Sequence, residues 1–377
     1  MDLMPVDLNQ FWKDDEIAHM DNCFSPRAPQ VALGLRMSEE CVLSEFGEET
    51  DNPMWRPPPR ERRIELNKRY NDKAGEVVGI RLLPEEFATD DERFPRVKQI
   101  GEVFGGRYAL HAGSEWLESD IKTPKQLEEK LDEIDKMDLR EFILPPDWDE
   151  RCKTILERSG ARPPRLHSVR GPVTLACSVF GIENLIFLLM DETDLAKRFS
   201  DTIAKVIIEM TEIMDAEAGE DSFGFRFYDD NCCMLNAELY EFFGYPVIKK
   251  VFDRFSPEEG HERYQHSDSA MEHLLPVLGS LEFSGVNFGP TITIDKIRKY
   301  LPKARIDGCI SPYTFMQNDQ ERLIAEVKRD CEMAKQTGRG VNIYTAGSIN
   351  YGSSLAGMRT VMWAICEYGR YDTGVNL

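Results

Sequence analysis

The sequence predicts an α/β protein closed into a (β/α)8 barrel behind an irregular N-terminal extension. Three observations predict it. From about residue 160 onward, short β-type runs alternate with helix-type runs, and such alternation means crossover connections between parallel strands. At least six of these units follow in series, more than a small open sheet holds comfortably. An open doubly wound sheet would carry a glycine-rich first turn, and neither G-x-G-x-x-G nor a phosphate-loop sequence occurs.

Taken in order, residues 1–100 form the extension and 101–377 the barrel. The extension holds VALGLRM (31–37), the acidic stretch SEECVLSEFGEETDN and WRPPPRERR (55–63). Three consecutive prolines make a stiff extended piece. Its arginines suit either a solvated strap on an acidic body or a contact with an anion or partner. A helix is expected over 124–138, with Thr123 as cap and Pro124 at its first position.

Strands follow at 166–172, 223–231, 263–269, 283–290, 304–312 and 340–349. Between and after them, helices are expected at 192–219, 238–255, 271–281, 293–301, 319–338 and 353–371. Pro246 should bend or divide its helix.

The chain has 377 residues, 67 acidic against 46 basic, for a formal charge of −21. So acidic a surface excludes a non-specific nucleic-acid or anionic-membrane binder. It also disfavours a polyanionic substrate unless a basic cluster is hidden in the site. No apolar run reaches the length of a membrane span. The acidic start lacks the basic and apolar regions of a signal peptide. Nine cysteines without a C-x-x-C pair read as reduced thiols, so the expected location is the cytoplasm. Cys232 and Cys233 are expected as small buried side chains.

In an α/β barrel the chemistry gathers where strands run into the following loops. The polar residues at those ends are Arg170, Asp229, Asp230, Asn231, His266, Asp268, Asn287 and Ser348, with Cys309 expected as buried filler. Alternation along a strand puts His266 and Asp268 on one side. A histidine and a carboxylate so placed can ligate a metal or act as a general acid–base pair. Asp229 and Asp230 point to opposite faces, so one enters the mouth and the other caps or ties a loop. Arg170 can clamp a carboxylate or pair with a local acid. Asn287 points inward as a polar contact, and Asn231 and Tyr344 stand among the substrate contacts. Phe227, Tyr228, Phe288 and Tyr344 can sandwich a ring or belong to the core.

The order FGFRFYDDN, ELYEFFGYPVIKKVFDRF, YQHSDS, GVNFGP, IDGCISP and YTAGSIN, preceded by GPVTLACSVFG (171–181), resembles the uroporphyrinogen decarboxylase superfamily over about 160–371. The resemblance implies a barrel with one of two activities. One branch decarboxylates a tetrapyrrole of the haem pathway. The other moves methyl groups between a small substrate and the cobalt of a corrinoid protein.

In the zinc members of the methyltransferase branch, a His-x-Cys pair and a last-strand cysteine hold the metal. Here His266 matches, but Asp268 replaces the first cysteine, and the second is replaced at or next to Ser348. Both thiolates are missing, which leaves at most a weaker site of His266, Asp268 and a third acid. Zinc in those relatives activates a thiol, so the resemblance implies an oxygen substrate here. The expected activity is transfer of methyl from an aryl methyl ether to cobalt, an O-demethylation, with His266, Asp268, Asp229 and Asp230 as the catalytic set.

None of the six histidines lies in an Asp-x-His-x-x-Gly cobalt-ligand motif, so the cobalamin is expected on a separate corrinoid protein. The decarboxylase is the alternative, although WRPPPRERR lacks that enzyme's arginine pattern. A barrel that binds a ligand without catalysis is the second alternative.

Overall fold

Phe225 and Phe227 alternate with Arg226 and Tyr228, and this period of two builds one strand with one buried face. In a computed structural model that describes residues 3–48, 58–111, 114–219 and 223–371, both phenylalanines are fully buried. They pack on Phe252 and Phe255 of the helix Ala237–Phe255, with ring centroids 5.6 and 5.7 Å apart. Burying one such ring stabilises by roughly 1.5–3 kcal/mol. Arg226 and Tyr228 therefore face away from the helix layer.

The chain forms two compact units. The larger continuous stretch, Ala88–His266 with His273–Ser284, makes one of them. The other combines Met1–Phe87, Ser267–Glu272 and Gly285–Leu377. Strands are numbered here in chain order. In the second unit, β1 (Ala32–Leu33) comes from the N-terminal region. In the first, β2 (Arg107–His111) and β3 (Ser114–Glu118) make an antiparallel hairpin.

The same unit holds the parallel strands β4 (Ser168–Arg170), β5 (Phe225–Tyr228) and β6 (Arg263–Ser267), the last ending at the unit boundary. The second unit holds β7 (Gly285–Phe288), β8 (Arg305–Asp307) and β9 (Val341–Ile343), with β1 pairing parallel to β9. Seven parallel strands thus stand where the sequence predicts eight, among the described residues.

Between β4 and β5 run three helices, Pro172–Phe180, Ile182–Asp191 and Thr193–Ala218. The last buries Phe199, Ile203, Val206, Ile207, Met210 and Met214, spaced as one helical stripe. Pro124–Ile134 starts as expected, with Thr123 and Gln126 forming a capping box.

Two expectations need correction. The helix expected at 271–281 is broken into Leu275–Leu278 between two 3-10 turns, because Pro276 cannot donate and Gly279 is a poor helix former. Of the two outcomes expected at Pro246, division does not occur, since Ala237–Phe255 runs through it as one helix. The bond it forgoes falls at Phe242, which is 37 % exposed, where water can serve the carbonyl.

The N-terminal region is tied down by specific partners. Asp15 of helix Leu8–Ala18 accepts from the Leu33 N–H at 2.7 Å. Its carboxylate also lies 3.3 Å from His19. That hydrogen bond, then the Cys23 thiol, raises the His19 pKa to about 10.

Arg60, Arg62 and Arg63 open a helix, Arg60–Val77, that the proline run did not announce. Arg63 pairs with Glu39, and Arg62 with Glu48 and Glu65. These arginines therefore serve the chain itself, whereas Trp55, Arg56 and Pro57 of the same motif lie outside the described residues. All nine cysteines are free thiols; Cys232 and Cys309 are buried and Cys233 is half-buried. No single helix among the described residues is long and apolar enough to cross a membrane, and the apolar pair Pro172–Phe180 and Ile182–Asp191 is bent by 105°.

Candidate active site at the ends of β4, β5 and β6

The register of the three strands fixes the site. Arg170 pairs with Tyr228, and Tyr228 with His266. Residues in register on parallel strands project to the same side. Since Phe225 and Phe227 take the helix side, Arg170, Tyr228 and His266 form a row on the other. The Tyr228 and His266 rings are 5.9 Å apart and tilted by 52°.

The chain then turns into a 3-10 segment, Asp230–Met234. This segment brings Asp230 Oδ1 to 3.5 Å from His266 Nε2. The Asp230 side chain is 41 % exposed and that of His266 17 %, so the pair is open to an incoming molecule.

Asp229 goes the other way, as alternation requires. It is fully buried and accepts from the Thr174 N–H at 2.7 Å. Val173 donates to it as well. Both donors belong to the first turn of helix Pro172–Phe180, where N–H groups lack partners within the helix. The carboxylate reaches them because residue 171 is glycine. A Cβ there would lie 2.2 Å from Asp229 Cβ.

Burial pushes the Asp229 pKa from 3.8 up to about 7, although the Thr174 and Val173 donors pull it down. A carboxyl with a raised native pKa binds its proton more tightly folded than unfolded. Its contribution to stability is whole below 3.8 and is lost as pH rises to about 7. Asp229→Asn stays neutral throughout. Denaturant unfolding from pH 4 to 7.5 should therefore show wild type losing stability relative to D229N. Parallel profiles would refute this account.

The other sequence-predicted residues are distributed as follows. The Asn231 N–H donates to Thr174 Oγ1 at 2.9 Å, and its side chain meets the Cys177 thiol. Half-buried Arg170 donates from Nη1 to Ser178 Oγ at 3.1 Å. In the second unit, Asn287 is buried and ties strand ends together. It donates to the carbonyls of Asp307 and Thr345 and accepts from the Gly347 N–H at 3.3 Å.

Asp268 is exposed, and its carboxylate lies against Gly347; a Cβ at that glycine would come within 3.0 Å of Asp268 Oδ2. Exposed Ser348 follows directly, and Tyr344 is half-buried. Phe227 and Phe288 are core, with no exposed surface, which corrects the expectation that either can sandwich a ring. Tyr228, 42 % exposed, is the aromatic of the row. Sequence reading named it only among possible ring contacts. The cue was present: Tyr228 has the parity of charged Arg226. Gly171, Thr174 and Ser178, which position Asp229 and Arg170, carry no such cue.

Residues of this unit able to ligate a metal are Asp230 and His266, whereas Asp268, the other expected ligand, belongs to the second unit. One imidazole with carboxylates is an oxygen-rich donor set. It does not fit a zinc site of the thiolate type, because neither Asp268 nor Ser348 supplies sulfur.

The uroporphyrinogen decarboxylase (URO-D) family model matches residues 101–368, beginning well before the motifs that carry the resemblance. No curated protein matches the chain. Among solved structures, a methyltransferase from Methanosarcina mazei is similar, with a TM-score of 0.52 and 16 % identity, over 87 % of this chain and 98 % of that one. At that identity the likeness speaks for the fold. Strand–helix alternation, strand-end polar row and a family match across most of the chain agree: this protein is an α/β barrel of the (β/α)8 type and belongs to the uroporphyrinogen decarboxylase family.

Proposed function

We propose that this chain is the substrate-handling methyltransferase of a corrinoid-dependent system, taking a methyl group from an aryl methyl ether. The observation that carries the reading is the open His266–Asp230 pair, 3.5 Å apart, beside the exposed ring of Tyr228. Family membership and the likeness to a methyltransferase fold support it. So does the exchange of both expected thiolates for Asp268 and Ser348.

Demethylating an ether leaves a phenolate oxygen that must be stabilised or protonated. His266 Nε2, 3.5 Å from Asp230 Oδ1 and on a partly exposed side chain, is the donor that meets that oxygen. When the O–CH3 bond breaks, its electron pair stays on oxygen, and the His266 proton goes there. Asp230 orients the imidazole and offsets the charge it carries as imidazolium. Asp229, buried under the turn, holds Asp230 in place through the cap it makes on helix Pro172–Phe180. Tyr228 offers a face to the substrate ring. The corrinoid, on its own protein, supplies the cobalt that takes the methyl group. No step is assigned to zinc.

The test offers a methoxylated phenol, a methylthiol and a methylamine as competing donors to the chain with a reduced corrinoid protein, and follows the corrinoid spectrum. The ether should be the preferred donor. Preference for the thiol or amine overturns the reading, as does stoichiometric cobalamin on the purified chain for the separate carrier. Decarboxylation of a porphyrinogen by the same preparation would put the other family activity first.

A further inference from the structure

We infer that Arg170 is a carboxylate clamp, so that the ether substrate is a methoxylated aromatic acid bound with its ring along the Arg170–Tyr228–His266 row. The inference rests on the aryl-ether reading and adds to it the charge of the substrate and the residue that reads it.

The chain carries 67 acidic residues, and most of its exposed arginines and lysines have found one. Buried or tied arginines without an acid, such as Arg298 and Arg359, spend their donors on backbone carbonyls. Arg170 does neither. Among the described residues no carboxylate pairs with it, and its guanidinium donates to one neutral hydroxyl, Ser178 Oγ, through Nη1. Ser178 itself donates to the Thr174 carbonyl at 2.8 Å, so it is committed as an acceptor toward Arg170. That arrangement fixes the guanidinium while leaving the Nε–Nη2 edge, the fork that grips a carboxylate with two parallel bonds.

Position completes the argument. Arg170, Tyr228 and His266 stand in register on three neighbouring strands. Parallel strands lie about 4.8 Å apart, so the Cα atoms of Arg170 and His266 are separated by about 10 Å with the tyrosine between them. A substrate with an acid at one end and an ether oxygen at the other spans such a row with its ring on Tyr228. One free guanidinium also matches one carboxylate. A polycarboxylated tetrapyrrole would call for several, and in this unit Arg226, the next arginine on the same face of β5, is already paired bidentately with Glu262.

The test compares binding of 4-methoxybenzoate with that of the neutral 4-methoxybenzamide by calorimetry. Hydrogen bonds to a charged group are worth roughly tenfold to a hundredfold in affinity, so wild type should prefer the acid by about that factor. Arg170→Gln should bring the preference close to one, and Arg170→Lys, which keeps the charge without the fork, should restore part of it. Equal binding of acid and amide by wild type overturns the assignment without any variant, and an undiminished preference in R170Q does so too. The same ligands in the corrinoid assay separate the two claims. Preferred binding of the acid with no methyl transfer sinks the ether reading and leaves the clamp standing. Methyl transfer that ignores the carboxylate does the reverse.

Discussion

His266→Ala is expected to slow the proposed methyl transfer from an aryl ether by about 10²–10⁴-fold, the range lost when one general acid is removed. The site gives the reason. Tyr228 can hold a ring and Arg170 an acid, and His266, with Asp230 3.5 Å away, is the member of the row assigned to deliver the proton to the departing oxygen. The loss should fall on the chemical step and leave the fold alone, since the His266 side chain is partly exposed and its strand is held by backbone pairing to β5. Single-turnover methylation of reduced corrinoid, with far-ultraviolet circular dichroism as the control, measures both. The methyl ether of a phenol with an electron-withdrawing substituent, whose phenolate leaves without needing a proton, should recover much of the lost rate. If H266A keeps near-full rate with an ordinary ether, His266 is not the acid.

Gly171→Ala should destabilise the protein by roughly 2–4 kcal/mol, from overpacking together with a lost helix cap. The glycine has an ordinary φ of −65°, so the cost is steric alone. The added methyl would meet Asp229 Cβ at 2.2 Å and Cγ at 2.4 Å. To make room, the carboxylate must leave the Thr174 and Val173 amides, and Asp230, the next residue, moves with it. Stability and turnover should therefore fall together, in contrast to H266A. Equilibrium denaturation of G171A beside Gly75→Ala, where a Cβ meets nothing within 4 Å, checks the steric account. A G171A protein as stable as wild type would show that Asp229 does not need its present seat.

Much of the fold was legible because it depends on local pattern. The helices Thr193–Ala218, Ala237–Phe255, Ile294–Tyr300, Gln320–Thr337 and Leu355–Tyr368 lie where their apolar spacing puts them, whereas short Pro312–Met316 was not expected. Strand positions were right and strand lengths too long, because FGFRFYDDN reads as one run whereas only Phe225–Tyr228 pairs with neighbours. The last three residues of that run turn into the loop that carries Asp229 and Asp230.

The opposed directions of those two acids followed from alternation. Which of them caps and which meets His266 did not, because that depends on register between strands far apart in sequence. Tyr228 shares the parity of Arg226, but an aromatic within a strand is separated from core aromatics such as Phe227 and Phe288 only once its cross-strand neighbours are known. The structure also shows that Asn287 and Asn231 spend hydrogen bonds on the chain itself, a commitment that a strand-end position does not reveal.

Helix Pro172–Phe180 obtains its N-terminal partner from a residue 55 positions further along the chain. A ribosome makes the two in that order. While residues 181–228 are being added, the helix has been synthesised and the acid that satisfies its first amides has not. A nine-residue helix is marginal on its own in water, so this segment gains a lasting hold only once β5 has emerged and docked beside β4. Seating Asp229 closes the helix and sets Asp230 in place at the same moment, so the acid is already positioned when His266 arrives on the next strand.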